Sequence, residues 1–204
     1  VEGMHGRVRA IGILLMTCTS VSSADMRQQT ANHPYLFFNA AGLTRLRARL
    51  EREPLKSRWL VFLRNAERSL DQPVAVVGGQ WDRKRARESL RVCGQTALAY
   101  AVTGDVRFGE RAKAELSPVL SATRWLNPGN ERFNRGADLA TADGALITAL
   151  VYDWCHDLFD EEEKAHVRQE IQRLAFDEYR TSLDKPDWWV RNPVTNWAGV
   201  CHGG

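Results

Sequence analysis

The chain has 204 residues, of which 44% are hydrophobic and 26% are charged. This composition excludes an intrinsically disordered protein, and the length is sufficient to bury the core of one domain. Its formal net charge of +3 is too small for the basic surface of a nucleic-acid-binding protein, so we expect no nucleic-acid partner.

The N-terminus has the pattern of a secretory signal peptide. A basic stretch, HGRVR (5–9), precedes an apolar run, AIGILLM (10–16), that is too short to span a bilayer. The small residues of a cleavage site follow in SSA (22–24). We therefore expect a signal peptide over residues 1–24, a mature domain over 25–204 without a membrane span, and a periplasmic or secreted protein. A lipid anchor on Cys18 is the alternative.

The cysteines and histidines predict neither a disulfide framework nor a metal site. Cys93, Cys155 and Cys201 remain after cleavage, and three thiols cannot all pair within one chain. Cys93 and Cys155 lie in apolar helical patterns, where a free cysteine is a small buried hydrophobe. Metal-binding Cys-x-x-Cys or His-x-x-x-His spacings are absent from the sequence, so we expect no metal and no cofactor.

From residue 39 onwards, apolar residues recur every three or four positions, which is the period of amphipathic helices. The pattern predicts helices that begin after Asn39, at Leu55, near Arg83 and at Asp105. Gly104 is a suitable C-terminal cap. A nearly continuous apolar segment, 137–159, predicts a buried helix, and acidic residues at 160–163 begin another that runs to about 183. Because no strand-like alternation of any length occurs, we expect an all-α fold of antiparallel helical hairpins.

Four segments, in this order, resemble landmarks of the heparinase II/III-type polysaccharide lyases, alginate lyases included. They are HPYLFFNAAGLTRLRARL (33–50), ALAYAVTGD (97–105), ALVYDW (149–154) and TNWAGVCHGG (195–204). The resemblance covers roughly residues 33–204. It implies an (α/α) toroid that is incomplete here, and it implies a short aromatic-rich strand before the first helix.

The resemblance further implies that part of the family's machinery follows residue 204. The catalytic tyrosine and a C-terminal β-sandwich domain are expected there, whereas the four tyrosines of this chain occupy positions typical of packing. We therefore expect the 204-residue chain to be a fragment of a lyase domain without eliminase activity of its own.

Such lyases cleave a uronic-acid glycoside by β-elimination, which removes the proton on C5 next to a carboxylate. The negative charge that develops on the carboxylate must be met by hydrogen-bond donors, and a base must reach C5. By resemblance, Asn196 is the predicted donor. The alginate-lyase pattern has Asn-His where this chain has Asn196-Trp197, so His202 is the second catalytic candidate. The alternatives are a helix N-cap for Asn196 and an ordinary helix-end residue for His202.

The predicted partner is an acidic, uronic-acid-containing polysaccharide, and aromatic and basic residues in two loops are candidates to bind it. Trp197 offers a ring for a sugar face. The loop before Asn196 and the loop at 124–136 supply the others, which are Trp188, Trp189, Arg191, Trp125 and Arg135.

Two other functions remain open. A glycoside hydrolase on a similar toroid needs two opposed carboxylates, and the available Asp138, Asp143 and Asp153 fall in one predicted helix. A helical carbohydrate-binding module would use the tryptophans and need no base. The products distinguish the three functions. A lyase releases an unsaturated product that absorbs ultraviolet light, a hydrolase releases reducing ends without that absorbance, and a binding module releases neither.

Overall fold

A computed structural model describes residues 33–74, 81–133 and 136–203 of the chain. The predicted signal peptide and Arg135 lie outside these residues. Every regular secondary-structure element within the described ranges is a helix, which confirms the all-α prediction. Residues 33–39, for which the resemblance implied a strand, are irregular instead.

Most helices follow one another with short connections, and the longer connections precede α3 and α5. They are α1 (Ala40–Leu50), α2 (Leu55–Leu70), α3 (Arg83–Thr103), α4 (Val106–Leu120), α5 (Leu139–Trp154), a 3-10 turn (His156–Leu158), α6 (Glu161–Ile171), a π turn (Gln172–Phe176), α7 (Asp177–Asp184), α8 (Trp188–Arg191) and α9 (Asn196–Gly203).

Local capping chemistry sets several of these boundaries. Asn39 accepts a hydrogen bond from the backbone N–H of Gly42 at 2.9 Å and begins α1. Asp105 begins α4 in the same way, through the N–H of Arg107. Between α3 and α4, Gly104 adopts a φ of 76°, which glycine reaches without steric cost. These ends lie where the sequence predicted them.

Helix α4 folds back along α3 to form an antiparallel hairpin. Ser89 on α3 donates to Glu115 on α4 at 3.0 Å, and the Cys93 thiol lies 3.9 Å from the Ala112 carbonyl oxygen. Glu115 is buried, and Arg111 neutralises it at 2.8 Å. Because the two buried charges neutralise each other, the hairpin can enclose both the Arg111 and the Glu115 side chain.

A second hairpin packs beside the first. Helix α5 runs parallel to α3, since Trp81 donates to the Ala140 carbonyl at 3.1 Å near one end and Tyr100 donates to Asp157 at 2.6 Å near the other. The α6–α7 segment then returns along α5 and contacts α4, where Lys113 meets Glu163 at 2.8 Å. The helices thus form two layers, with α3 and α5 in one layer and α4 and α6–α7 in the other.

Helix α5 is shorter than the predicted segment 137–159. Asp138 begins it by accepting from the N–H groups of Ala140 and Thr141, and the Thr141 side chain accepts from the N–H of Asp138 in return. The helix ends at Trp154, and the chain continues into the 3-10 turn at 156–158. The predicted segment was too long because apolar residues beyond both helix ends, Ala137, Leu158 and Phe159, continue the apolar pattern.

Trp125 lies in the core, not at the rim that the sequence predicted for it. Its side chain is 1% exposed and its indole nitrogen donates to the Val119 carbonyl at 2.9 Å. The ring fits there because Gly144 faces it: a Cβ at that position would lie 2.5 Å from the ring. Trp81 packs on it with ring centroids 6.5 Å apart.

The cysteines behave as predicted. Cys93 and Cys155 are buried free thiols, and burial raises the pKa of each. Of the helices in the described ranges, none has the length and apolar character needed to cross a membrane.

Candidate functional site

The candidate site is built by α7, α8 and α9 on the N-terminal half of α5. Ser182 on α7 donates to Asp187 at 2.6 Å and accepts from the backbone N–H of Ala137 at 2.7 Å. Gly136 permits this close approach, because a Cβ there would clash with the Glu178 carbonyl oxygen. The buried network therefore fixes the end of α7 and the start of α8 against the start of α5.

Asn196 is the first residue of α9 and its side chain is exposed. Thr195, not Asn196, caps the helix, since the Thr195 hydroxyl accepts from the N–H of Ala198 at 3.2 Å. The amide of Asn196 makes no hydrogen bond to another described side chain or backbone group. The structure thus leaves this amide available to a ligand.

Helix α9 packs on α5 through Ala198 and Cys201, both of which are buried. Trp189 on α8 completes this small core: it is 0% exposed and donates to the Ala137 carbonyl at 3.2 Å. Burial raises the pKa of the Cys201 thiol to about 12. Cys201 is therefore a neutral packing residue at physiological pH.

His202, near the end of α9, forms a hydrogen bond with a tyrosine that the sequence analysis had assigned to packing. Its Nδ1 lies 2.6 Å from the hydroxyl of Tyr179 on α7. The His202 ring also stands edge-on to Trp189, with centroids 5.2 Å apart. The arrangement is a hydrogen-bonded phenol–imidazole pair, which can hold or transfer a proton.

Trp188 and Trp197 form an aromatic pair at the other end of α9. Their ring centroids are 5.2 Å apart and the planes are tilted by 56°. Trp188 is 39% exposed and Trp197 is half-buried. Since Asn196 precedes Trp197 directly, an exposed amide and two partly exposed indoles share one end of the helix.

The two ends of α9 cannot serve one small group together. Asn196 and His202 are six residues apart, which corresponds to about 9 Å along a helix axis and about 120° around it. The sequence made both of them catalytic candidates for one reaction. The geometry instead gives two adjacent contact points on one helix.

A largely apolar pocket of about 240 Å³ lies beside the phenol–imidazole pair. Alanines 142, 145 and 149 on α5 form one wall, and the other wall includes Ile171 and Ala175. Tyr179, His202 and Cys201 also contribute to the lining. The pocket can accept apolar groups, but its walls supply few donors for a sugar.

The other predicted binding residues are placed differently. The ring of Trp189 lies in the core and does not face solvent as a sugar platform would. Arg191 is exposed, and its Nε and Nη2 atoms donate to the Pro186 carbonyl at 2.9 and 2.7 Å. Arg135 lies outside the described residues. Trp188 and Trp197 are thus the predicted tryptophans that retain accessible ring surface.

The three carboxylates of the α5 region have structural partners. Asp138 accepts from Asn127 at 2.9 Å and from Asn130 at 2.8 Å, and Asp153 lies 2.6 Å from the His33 imidazole. Asp143 pairs with Arg83 at 3.7 Å, although burial raises its pKa. Asp143 and Asp153 are ten residues apart, or about 15 Å along the axis, which exceeds the separation of an inverting hydrolase pair.

Within the described part of the chain, no cluster of three or more His, Cys, Asp or Glu side chains is placed to hold a metal ion. A scan against protein-family models and a search of curated proteins found no match to this chain.

Proposed function

We propose that the chain is the helical part of a secreted polysaccharide lyase that cleaves uronic-acid-containing glycans by β-elimination. The observation that carries this proposal is the exposed Asn196 amide beside the Trp188–Trp197 pair. Indole rings provide the flat surface that a pyranose ring stacks on, and an amide provides donors for a carboxylate. The resemblance of residues 195–204 to the active-site segment of this family supports the same assignment.

Asn196 would act on the carboxylate of the reacting sugar. When a base removes the C5 proton, the electron pair forms the C4–C5 double bond and the C4–O bond breaks, so the leaving sugar takes the glycosidic oxygen. Negative charge accumulates transiently on the C5 carboxylate. An N–H donor at this point stabilises that charge in the transition state more than in the ground state, which lowers the barrier.

The Tyr179–His202 pair would bind the neighbouring sugar. It lies about 9 Å along α9 from Asn196, a distance that one ring does not span. A polymer that crosses α9 obliquely, following the about 120° between the two side chains, can meet Asn196 with one ring and the pair with the next. We therefore assign the pair to substrate binding, and Asn196 to carboxylate neutralisation.

The two helical layers support the proposal that the fold is part of an (α/α) toroid. In such a fold successive hairpins place their first helices side by side and parallel, with the returning helices in a second layer. Helices α3 and α5 are parallel neighbours, and α4 and α6–α7 return beside them. A structure in which successive hairpins close into a ring would support this assignment, and one in which they form an open stack would contradict it.

Replacement of Asn196 by alanine, in a purified protein that contains this chain and has eliminase activity, tests the catalytic role. We expect turnover on a polyuronate to fall about 10²–10³-fold, because one oxyanion-stabilising donor is lost. The Michaelis constant should change less. Product is measured by the ultraviolet absorbance of the unsaturated uronate, and Asn192→Ala, a change at another exposed asparagine, is the matched control.

Tyr179→Phe and His202→Gln distinguish binding from proton transfer at the second contact point. We expect a few-fold rise in the Michaelis constant with turnover preserved. A loss of turnover as large as that of Asn196→Ala would instead make the pair the acid and base. Reducing ends without ultraviolet absorbance would identify a hydrolase, and binding without either product would identify a carbohydrate-binding module.

A further inference from the structure

Helix α1 carries three arginines and no acidic residue. Arg47 is explained by the fold, because it donates to the carbonyls of Ala101 and Val102 at the end of α3. Arg45 and Arg49 are exposed and lie one helical turn apart on the same face. Among the described acidic side chains, none forms an ion pair with either of them. Two unpaired like charges at this spacing disfavour the helix unless an anion joins them.

Next to α1, a short segment presents an aromatic side chain to solvent. Phe37 is 81% exposed, and its φ of 64° lies in the left-handed region that non-glycine residues seldom adopt. The surrounding contacts hold the segment in place: Asp153 accepts from the backbone N–H of Leu36 at 2.9 Å, and Trp154 donates to the Leu36 carbonyl at 3.2 Å. A strained, exposed position that its neighbours fix so firmly indicates a binding role.

The aromatic groups cluster next to the first turns of α1, where Arg45 lies. The Phe38 ring stacks on Trp154 with centroids 5.4 Å apart, and the Phe37 ring stands edge-on to Trp154 at 6.3 Å. Gly42 on α1 lies close to both kinds of group, since a Cβ at that position would lie 3.1 Å from the Phe38 Cβ and 3.9 Å from Arg45 Nη2. We call Phe37, Phe38, Trp154, Arg45 and Arg49 the α1 surface.

We propose that the α1 surface is a second binding site for an anionic polysaccharide, separate from the site on α9. It contacts the C-terminal end of α5, whereas α9 packs near the N-terminal end. Asp138 and Asp153 mark those ends, and fifteen residues of helix separate them by about 22 Å. The second site does not require eliminase activity, so the two proposals can fail independently.

The chemistry favours a linear polymer with one carboxylate or sulfate on each sugar. Two guanidinium groups one helical turn apart, about 6 Å along the axis, can bind successive anionic groups of such a chain. The aromatic rings offer the apolar face that a sugar ring packs against. A single small anion would use the arginines but would leave the exposed Phe37 without a contact.

The test is titration of the 204-residue chain with alginate at low salt. We expect Arg45→Gln/Arg49→Gln to weaken binding about tenfold and to reduce its salt dependence, because fewer counterions are released. The control, Lys84→Gln/Arg91→Gln, removes the same charge from exposed positions on α3. It should change the affinity less than about twofold. An equal loss in both variants would show non-specific charge attraction and overturn the proposal.

Phe37→Gly supplies a readout that a structural role would not give. Glycine adopts the observed φ freely, so the melting temperature should hold or rise while alginate binding weakens. A lower melting temperature with unchanged binding would contradict the proposal. So would binding to phosphatidylglycerol vesicles without binding to alginate. In a Trp197→Ala background, the loss caused by Arg45→Gln/Arg49→Gln should persist unchanged if the two sites are separate.

Discussion

Cys201 shows how the small core under α9 controls the chemistry of a single group. Its thiol is buried against α5, and burial raises its pKa from an ordinary value of 9.0 to about 12. A group that keeps its proton more strongly when folded stabilises the fold less as pH rises through the unfolded-state pKa. The full contribution is present at neutral pH, and it decreases between about pH 9 and about pH 12.

We expect this ionisation to be visible in the free energy of unfolding. Between about pH 8 and about pH 10, the Cys201 thiol should account for a loss of about 1.4 kcal/mol, because the unfolded thiol releases its proton and the folded thiol does not. Urea unfolding of the wild-type chain and of Cys201→Ala at both pH values measures it. Cys93 and Cys155 are retained in both proteins, so their contributions to the pH dependence cancel in the difference. If the free energy of unfolding depended on pH equally in the two proteins, the raised pKa of Cys201 would be contradicted.

Residue positions were predictable where they depended on the local sequence. Asn196 lies exposed at the start of a helix, and the Trp188 and Trp197 rings lie together, whereas the roles assigned to these residues stay predictions. The Tyr179–His202 hydrogen bond escaped prediction because its partners are 23 residues apart and belong to different helices. Trp125 was misplaced for a similar reason, since the space for its ring depends on Gly144, a residue of the following helix.

At the scale of helices, two glycines allow the effect of close packing on stability to be distinguished from the effect of helix propensity. Gly144 on α5 faces the Trp125 ring, which is buried and hydrogen-bonded and cannot move aside. Gly94 on α3 has nothing within 4 Å of the position that a Cβ would occupy. Both are interior helical positions, so their difference isolates the packing contribution.

We expect Gly144→Ala to lower the free energy of unfolding by about 1–3 kcal/mol, because the added methyl overpacks the contact with Trp125. Gly94→Ala should raise it by about 0.5–1 kcal/mol through helix propensity alone. Urea denaturation of both variants measures the difference. A stabilising Gly144→Ala would mean that α5 and the Trp125 loop are not packed as described.

Helix boundaries followed the same division between local and long-range causes. Asn39, Gly104 and Asp105 set ends that the sequence located, because a cap is recognised within a few residues. The limits of α5 and the π turn at Gln172–Phe176 were not predicted. Apolar residues beyond both ends of α5 made the predicted segment too long, and a change of hydrogen-bond register has no sequence period of its own.

At the scale of the whole molecule, the all-α class could be predicted because every long segment repeats apolar residues at helical spacing. The order of the layers could not, since it depends on contacts such as Trp81 with Ala140 and Lys113 with Glu163. These contacts join residues 50 or more positions apart. Their specificity comes from the shape of the packed helices and not from any local pattern.

Export is a prediction about the molecule as a whole. The basic and apolar segments at 5–16 should direct secretion, and cleavage should leave a mature N-terminus near Asp25. N-terminal sequencing of protein from the periplasmic fraction measures it. A variant without residues 10–16 should remain in the cytoplasm with its N-terminus intact. Periplasmic protein that still begins at Met4 would refute the signal peptide.

The π turn between α6 and α7 has a consequence for which deletions the Tyr179–His202 contact tolerates. A π turn holds one residue more than the α-helical path that it replaces, and its wider turn absorbs that residue without rotating the helix that follows. Deleting one residue from Gln172–Phe176 would therefore restore the α-helical path and leave Tyr179 facing His202. Deleting Asp177 or Glu178 on α7 would instead rotate the hydroxyl by about 100° around the helix axis and separate it from the imidazole.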